Sequence, residues 1–216
     1  MQKKVRRKRQ ILRNKTVILR SSRELFHKKG FYATTMEDIA QYSGFDRRTI
    51  YNHFTNKEDI FAALISGILN DITDVFDEIE AEQVSPLDKL RKLVLKLLDL
   101  YIENAQLLNI FMSEYEINEI KKKRHLSAYT LKNIHSYKEI ESRLVEMIRQ
   151  AQEQNLVVDV HPYILAGVLN ELILRSVIVL HNLKGTIKKK DIIRDIFELL
   201  GNNVVRSSDS GSAARE

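Results

Sequence analysis

Arg47, Arg48, Thr49, Tyr51 and His53 stand within one short run and bring together two guanidinium groups, two hydroxyls and an imidazole. Such groups donate hydrogen bonds to phosphate oxygens and to the edges of bases, and they recur where a helix reads a nucleic acid. The surrounding stretch, Phe31 to Phe54, reads F-Y-A-T-T-M-E-D-I-A-Q-Y-S-G-F-D-R-R-T-I-Y-N-H-F. Thr35 is placed to cap a helix through its side-chain oxygen, and Asp38, three residues on, answers it as a capping box. Gly44 takes a turn where a positive φ is expected, and Asp46 caps a second helix of about two turns, from Arg47 to Phe54. Ala40 lets the two helices approach and Ile50 faces inward to join them, giving the spacing A-x3-G-x5-I of a helix-turn-helix. The N-terminal residues of such a second helix reach base edges in the major groove, and here they are Arg47 and Arg48.

An isolated match of that spacing carries little weight, and paired arginines are commonly a solvated surface. The charge distribution adds to it. Residues 1–59 hold fifteen Lys or Arg against six Asp or Glu, whereas the rest of the chain is slightly acidic and the whole is +6. A basic module joined to a mildly acidic body is the distribution expected of a DNA reader, because phosphate neutralisation supplies most non-specific affinity. Lys3, Lys4, Arg6, Arg7, Lys8 and Arg9 are interrupted only by Val5. Residues 1–9 are therefore expected to form a flexible basic arm that contacts phosphates or enters a minor groove, or else a solubilising tail.

The run G-F-Y-A-T-T-M-E-D-I-A, the following Gly44, and T-I-Y-N-H-F-T-N-K-E-D-I resemble the N-terminal signature of the tetracycline-repressor (TetR-type) family of bacterial transcription regulators, over roughly residues 10–64. The resemblance implies that Thr35 touches a phosphate and that Arg47, Arg48 and Thr49 read bases or the adjacent backbone. It further implies that Tyr51 and His53 grip phosphates and that Lys57 adds another phosphate contact. Asp46 departs from the pattern, since a small hydroxyl residue is common at that place and a carboxylate repels phosphate.

With seven Gly and two Pro in 216 residues, and Leu, Ile, Lys and Glu at helical spacing, an all-α protein is expected. The expected division is a helix-turn-helix domain over 10–56, a helical effector-binding and dimerisation domain over 57–206, and a disordered tail over 207–216. Helix one runs from Gln10 to Lys29 with Ile11, Val17, Ile18, Leu25 and Phe26 inward, closed by Gly30. A connecting helix spans 57–83, buries Ile60, Phe61, Leu64, Ile68, Ile72, Val75, Phe76 and Ile79, and serves as a mechanical link. Ser85, Pro86 and Asp88 start the next helix, whose inner face is Leu90, Leu93, Val94, Leu97, Leu98 and Tyr101. Further helices are expected over 105–118, 127–154, 162–182 and 188–200.

The last two of these are so apolar that they read as an association surface, with Leu165, Leu169, Leu172, Ile173, Ile192, Ile196, Leu199 and Leu200 pairing against a second copy in a four-helix homodimer interface. Asn170, Glu171 and Arg175 argue against a membrane span. In a dimer the two reading helices, about 34 to 36 Å apart, meet successive major grooves of a pseudo-palindromic operator. The family resemblance also implies a small hydrophobic effector held in the body, with Tyr101, Phe111, Met112, Tyr115 and Tyr129 as candidate lining and His135, Asn170, Glu171 and Arg175 as its polar groups. Taken singly, each of these aromatics is more often plain core, and Glu171 with Arg175 has the i,i+4 spacing of an ordinary ion pair.

The six His show no metal-ligand spacing, cysteine is absent, and no G-x-S-x-G, Walker loop or G-x-G-x-x-G occurs, so neither an enzyme, a cofactor nor a metal site is expected. No signal peptide is expected either, and a bacterial cytoplasmic location fits. Two functions fit: a ligand-responsive repressor, or an architectural protein on the same fold that binds DNA and a protein partner without an effector.

Overall fold

The computed structural model describes residues 2–110, 128–183 and 186–203, with the backbone alone described at 3, 128–132 and 200–203. Every element among them is helical: α1 Gln2–Lys29, α2 Met36–Ser43, α3 Arg47–Tyr51, α4 Lys57–Ala81, α5 Pro86–Glu103, α6 Ala128–Glu153, α7 Pro162–Asn182 and α8 Lys189–Asn203. A further helical stretch covers 105–110. The chain divides into two compact units, one built around residues up to Ile68 with the first turns of α6, the other from Leu69–Asn109 and the residues after Ile134.

In the amino-terminal unit α2 packs on α1 and α3 packs on α2. The core closes on Ile18, Phe26, Ile39, Ile50 and Ile60, each fully buried, with Phe26, Phe31 and Phe61 meeting edge-on or tilted at centroid distances of 5.1–6.3 Å. Gly30 stops α1 at φ +85°. Ile11 and Leu12 are about half exposed, which corrects the inward assignment of Ile11: the buried face of α1 begins at Ile18 and includes Ser21 and Ser22. Ser22 Oγ donates to the Ile18 carbonyl at 2.8 Å, which lets a hydroxyl sit in the core. The basic residues expected as a flexible arm are helical from Gln2 onward. Lys, Arg and Gln are good helix formers and no Gly or Pro interrupts them, so α1 extends backwards.

Asn56 Oδ1 accepts from the Asp59 N–H at 2.8 Å and caps α4. From Ile60 to Leu69 that helix is buried on nearly every side, and beyond it Ile72, Phe76 and Ile79 continue a single buried stripe. Two residues of α6 are held differently in the two units. In the first, buried Asn133 donates to the Ala62 carbonyl at 2.9 Å and accepts from Ser66 Oγ at 2.5 Å. In the second, Arg143 lies over the Phe76 ring and donates to Glu80 Oε1 and Oε2 and to Asp77 Oδ1 at 2.7–2.9 Å.

The second unit is layered on α5, whose six expected inner residues are all buried, and α7 packs on both α5 and α8. Ser85 caps α5, accepting from the Asp88 N–H at 3.1 Å with Pro86 at the first helical position. The length and apolar content of α7 equal those of a membrane span. Its packing does not: Leu165, Leu169, Ile173 and Val177 are buried against neighbouring helices, while Glu171 and Arg175 pair on the exposed face at 3.3 Å.

Candidate nucleic-acid interface

The second helix of the motif is shorter than the expected two turns, five residues from Arg47 to Tyr51, and it is held at both ends. Gly44 adopts φ +73° and its N–H returns to the Ala40 and Gln41 carbonyls, so α2 stops abruptly. Asp46 then accepts from Thr49 N at 2.7 Å and Thr49 Oγ1 at 3.1 Å. Those two bonds hold its carboxyl below the usual range, and the charge therefore stays beside the arginines. Ala40 and Ile50 are buried between the helices, as the spacing requires.

α2 begins with a complete capping box. Thr35 Oγ1 accepts from Asp38 N at 3.1 Å, and Asp38 Oδ2 accepts from Thr35 N and Thr35 Oγ1, both at 2.8 Å, and from Lys29 Nζ at 2.6 Å. The Lys29 bond, then the two from Thr35, lower the Asp38 carboxyl to about 2. The hydroxyl of Thr35 is thus engaged within the box.

Around this frame the seven candidate contacts separate. Arg48 and Tyr51 are exposed and lie on α3. Arg47 is exposed too, but it is ion-paired with Glu37 of α2. Thr49 is half-buried and serves the Asp46 cap. His53 is half-buried, and desolvation together with the nearby Lys15 lowers its titration below the ordinary histidine value. Lys57 is half-buried, and its Nζ donates to the carbonyls of Phe31, Tyr32 and Thr34 at 3.0, 3.0 and 3.1 Å and lies 4.8 Å from the Phe31 ring centre. All three ammonium donors are engaged by the loop between α1 and α2.

The arrangement is a capped two-helix head that presents Arg48 and Tyr51 outward, with acid groups beside Arg47, Thr35 and Thr49. Residues 18–64 match the profile of the bacterial regulatory proteins of the tetR family. That segment is a TetR-type helix-turn-helix domain. The TtgR regulator of Pseudomonas putida, an HTH-type transcriptional regulator, is 32% identical over 90 residues, 41% of this chain and 43% of TtgR. That match spans less than half the length of the relative. Two solved structures share the fold: the ketosteroid regulator KstR2 of Mycobacterium tuberculosis, with a TM-score of 0.71 at 17% identity over 89% of this chain and 95% of that one, and a putative transcriptional regulator of Saccharomonospora viridis in complex with choline, 0.71 at 18% over 89% and 98%.

Within the TetR fold, the second unit places the expected effector residues in different settings. Tyr101 is buried and its hydroxyl donates to Asn170 Oδ1 at 3.2 Å. Burial pushes its phenol well above the ordinary range. His135 is exposed, and Glu171 and Arg175 form their pair on the outer face of α7, so these three do not line the interior. Phe111, Met112 and Tyr115 lie outside the described residues, as does the side chain of Tyr129. A cavity of about 20 Å³ opens beside Asn170 among Leu90, Leu93, Val94, Leu97, Leu144, Leu169 and Ile173. Sequence reasoning missed Asn104, whose Oδ1 is the buried side-chain acceptor without a hydrogen-bond partner among the described residues. Its position at the C-terminal cap of α5, three residues after Tyr101, was the available signal.

The expected interface residues divide as well. Leu165, Leu169, Ile173, Ile192 and Ile196 are buried within the protomer and belong to its own core. Leu172 is half-buried and Leu199 is 52% exposed, whereas the side chain of Leu200 lies outside the described residues. Ile164, Val168 and Val179 of α7, with Leu183 just past its end, point outward instead, with exposures of 64, 54, 42 and 47%, and the Glu171–Arg175 pair lies between the two halves of this face. A groove of about 260 Å³ beside it runs between Leu172, Val179, Ile187 and Leu199.

Proposed function

We propose that the protein is a DNA-binding transcription regulator that represses from a pseudo-palindromic operator as a homodimer and is released by a small hydrophobic molecule. The observation that carries this reading is the capped α2–α3 head with Arg48 and Tyr51 exposed on α3, at the place where a reading helix meets the major groove. Arg48 is assigned to base reading, and Tyr51 and His53 to phosphates. Dimerisation is assigned to the outward face of α7 with Leu199, because Ile164, Val168, Val179 and Leu199 are large apolar side chains left exposed on either side of the Glu171–Arg175 pair.

The effector is assigned to the second unit around Tyr101, Asn104 and Asn170. An apolar layer holding one hydroxyl, one amide pair and one unpartnered acceptor suits an uncharged apolar molecule that carries a hydrogen-bond donor. A regulator of the same fold named for a ketosteroid supports a compact, largely apolar class.

The test begins by selecting bound fragments from genomic DNA. Arg48→Ala is expected to weaken binding to the selected site by about 1 to 3 kcal/mol while leaving random duplex nearly unchanged. Equal weakening on both would remove Arg48 from base reading. Thermal melting against a panel of hydrophobic compounds is expected to give at least one that raises the midpoint and lowers operator affinity; a panel without any such compound, together with a captured protein partner, would favour an architectural role.

A further inference from the structure

The first three turns of α1 are built for a surface that is negative on more than one side. Ten Lys or Arg precede the first acidic residue, Glu24. From Gln2 to Arg13 every described side chain is exposed, and burial begins only at Ile18, where α1 joins the core of the reading head. This stretch also precedes the segment that matches the family profile, residues 18–64. It is helical without an acidic residue in its first turn, so its cations face the positive end of the helix dipole. Lys4 with Lys8 and Arg9 with Arg13 are like charges at i,i+4, which repel on one face. No acidic residue within the extension offsets these costs.

At 100° per residue Lys4, Arg6, Arg7, Lys8 and Arg9 point round the whole axis, with no gap wider than about 100°. A helix that lies on a membrane needs a continuous apolar face opposite its charges. Val5 and Leu12 share one side, but Lys8 and Arg9 flank it closely and Ile11 stands about 100° away, so they do not make one. Cations on every side fit a groove walled by phosphates instead, and twelve residues of helix, about 18 Å long, run past about five phosphates of one strand.

We propose that Gln2–Arg13 is a second DNA-contacting element, a helical extension that lies along the phosphates flanking the operator and adds sequence-independent affinity to the reading head. It rests on the DNA-binding reading above and enlarges the footprint beyond what α3 covers. Binding neutralises the like-charge repulsion that the free helix carries.

The experiment compares the full-length protein with a full-length variant carrying Lys3→Gln, Lys4→Gln, Arg6→Gln, Arg7→Gln, Lys8→Gln and Arg9→Gln. Affinity for the selected site, long enough to include its flanks, is measured from about 50 to 200 mM salt. The log–log slope is expected to be shallower in the variant by about 0.9 for each phosphate that the extension no longer neutralises, which amounts to about a 3.5-fold change per phosphate over that range. Preference for the selected site over random duplex should persist. Gln10→Pro keeps every charge but breaks the helix ahead of the core, and it should flatten the slope toward that of the glutamine variant, with a melting midpoint that shows the domain still folded. A slope unchanged by the six glutamines overturns the extension while leaving the reading head intact, and an unchanged slope in Gln10→Pro overturns its helical form. Unsubstituted protein that binds no duplex at the lowest salt overturns the DNA reading itself. Equal competition by vesicles of phosphatidylserine and phosphatidylcholine overturns the choice of DNA as the partner.

Discussion

The turn between Lys29 and Lys57 and the helix pair α7–α8 are built from opposite materials. In the first, polar side chains define the geometry: Thr35, Asp38, Asp46, Asn56 and Lys57 each bind backbone groups within a few residues or across one short loop. In the second, apolar side chains repeat so densely that one helix offers both a buried row and an exposed row, Leu165–Leu169–Ile173 beside Ile164–Val168. A cap specifies its partner by distance and direction, whereas a leucine specifies only that water be excluded. Roles can therefore be named residue by residue in the head, but in the body they depend on which neighbour arrives first.

The sharpest way to break that contrast is to separate the two rows of α7. Ile173→Ala should cost about 2 to 5 kcal/mol of unfolding free energy, because it opens a cavity inside the protomer. Val168→Glu should leave a single protomer's melting almost unchanged while abolishing self-association in sedimentation. If Ile173→Ala were silent in denaturant but disruptive in sedimentation, the buried row would be the seam and the assignment would be reversed.

Lys57 provides the corresponding trial in the head. Replacing it with Met removes three hydrogen bonds from a charged group and leaves the Phe31, Tyr32 and Thr34 carbonyls without that donor. Hydrogen bonds involving a charge suggest a cost of about 1.5 to 3 kcal/mol in stability, discounted because the site is only half-buried. The slope of DNA affinity against salt should not move. A drop of about 0.9 per head with unaltered stability would return Lys57 to the phosphates.

These cases show what is legible in a sequence. The capping box at Thr35, the left-handed turn at Gly44, the Asp46 cap and the whole inner face of α5 depend on neighbours three or four positions away, and the sequence alone places them. Lys57 and Glu37 depend on partners across a turn, which periodicity does not register. The same holds for α7, where Leu165 and Ile164 are adjacent in sequence and opposite in fate. Residues 1–9 mislead for another reason: dense charge suggests disorder, although Lys and Arg have strong helix propensity and the segment continues α1 without a breaker.

A smaller effect is expected at the first cap. Thr35→Ala should cost about 0.5 to 2 kcal/mol by freeing the Asp38 N–H. The carboxyl of Asp38 titrates near 2 in the folded protein, below its ordinary value. Its contribution is thus complete above about pH 4 and is lost as the pH falls through the folded value. Acid titration of stability in Asp38→Asn should lack that limb; an unchanged profile would mean that Lys29 and Thr35 do not engage Asp38 in solution.

The least change is expected from His53, where the two properties of the head move in opposite directions. Its imidazole titrates below the ordinary histidine value, mainly through burial and secondarily through Lys15. In the free protein its uncharged form is therefore favoured. Its share of stability is present above the ordinary value and declines as the pH falls through the lowered one, because the unfolded chain takes up the proton more readily. A phosphate alongside reverses that preference and favours the cation. Lowering the pH from about 7.5 to 6 should then tighten binding and steepen the salt slope by at most about 0.9 per head while the free protein melts slightly earlier. His53→Gln keeps an N–H donor and should abolish both responses. Should the tightening survive in that variant, the proton is taken up elsewhere, and His53 is left with the part its half-burial already gives it, packing beside Lys15 at the rim of the head.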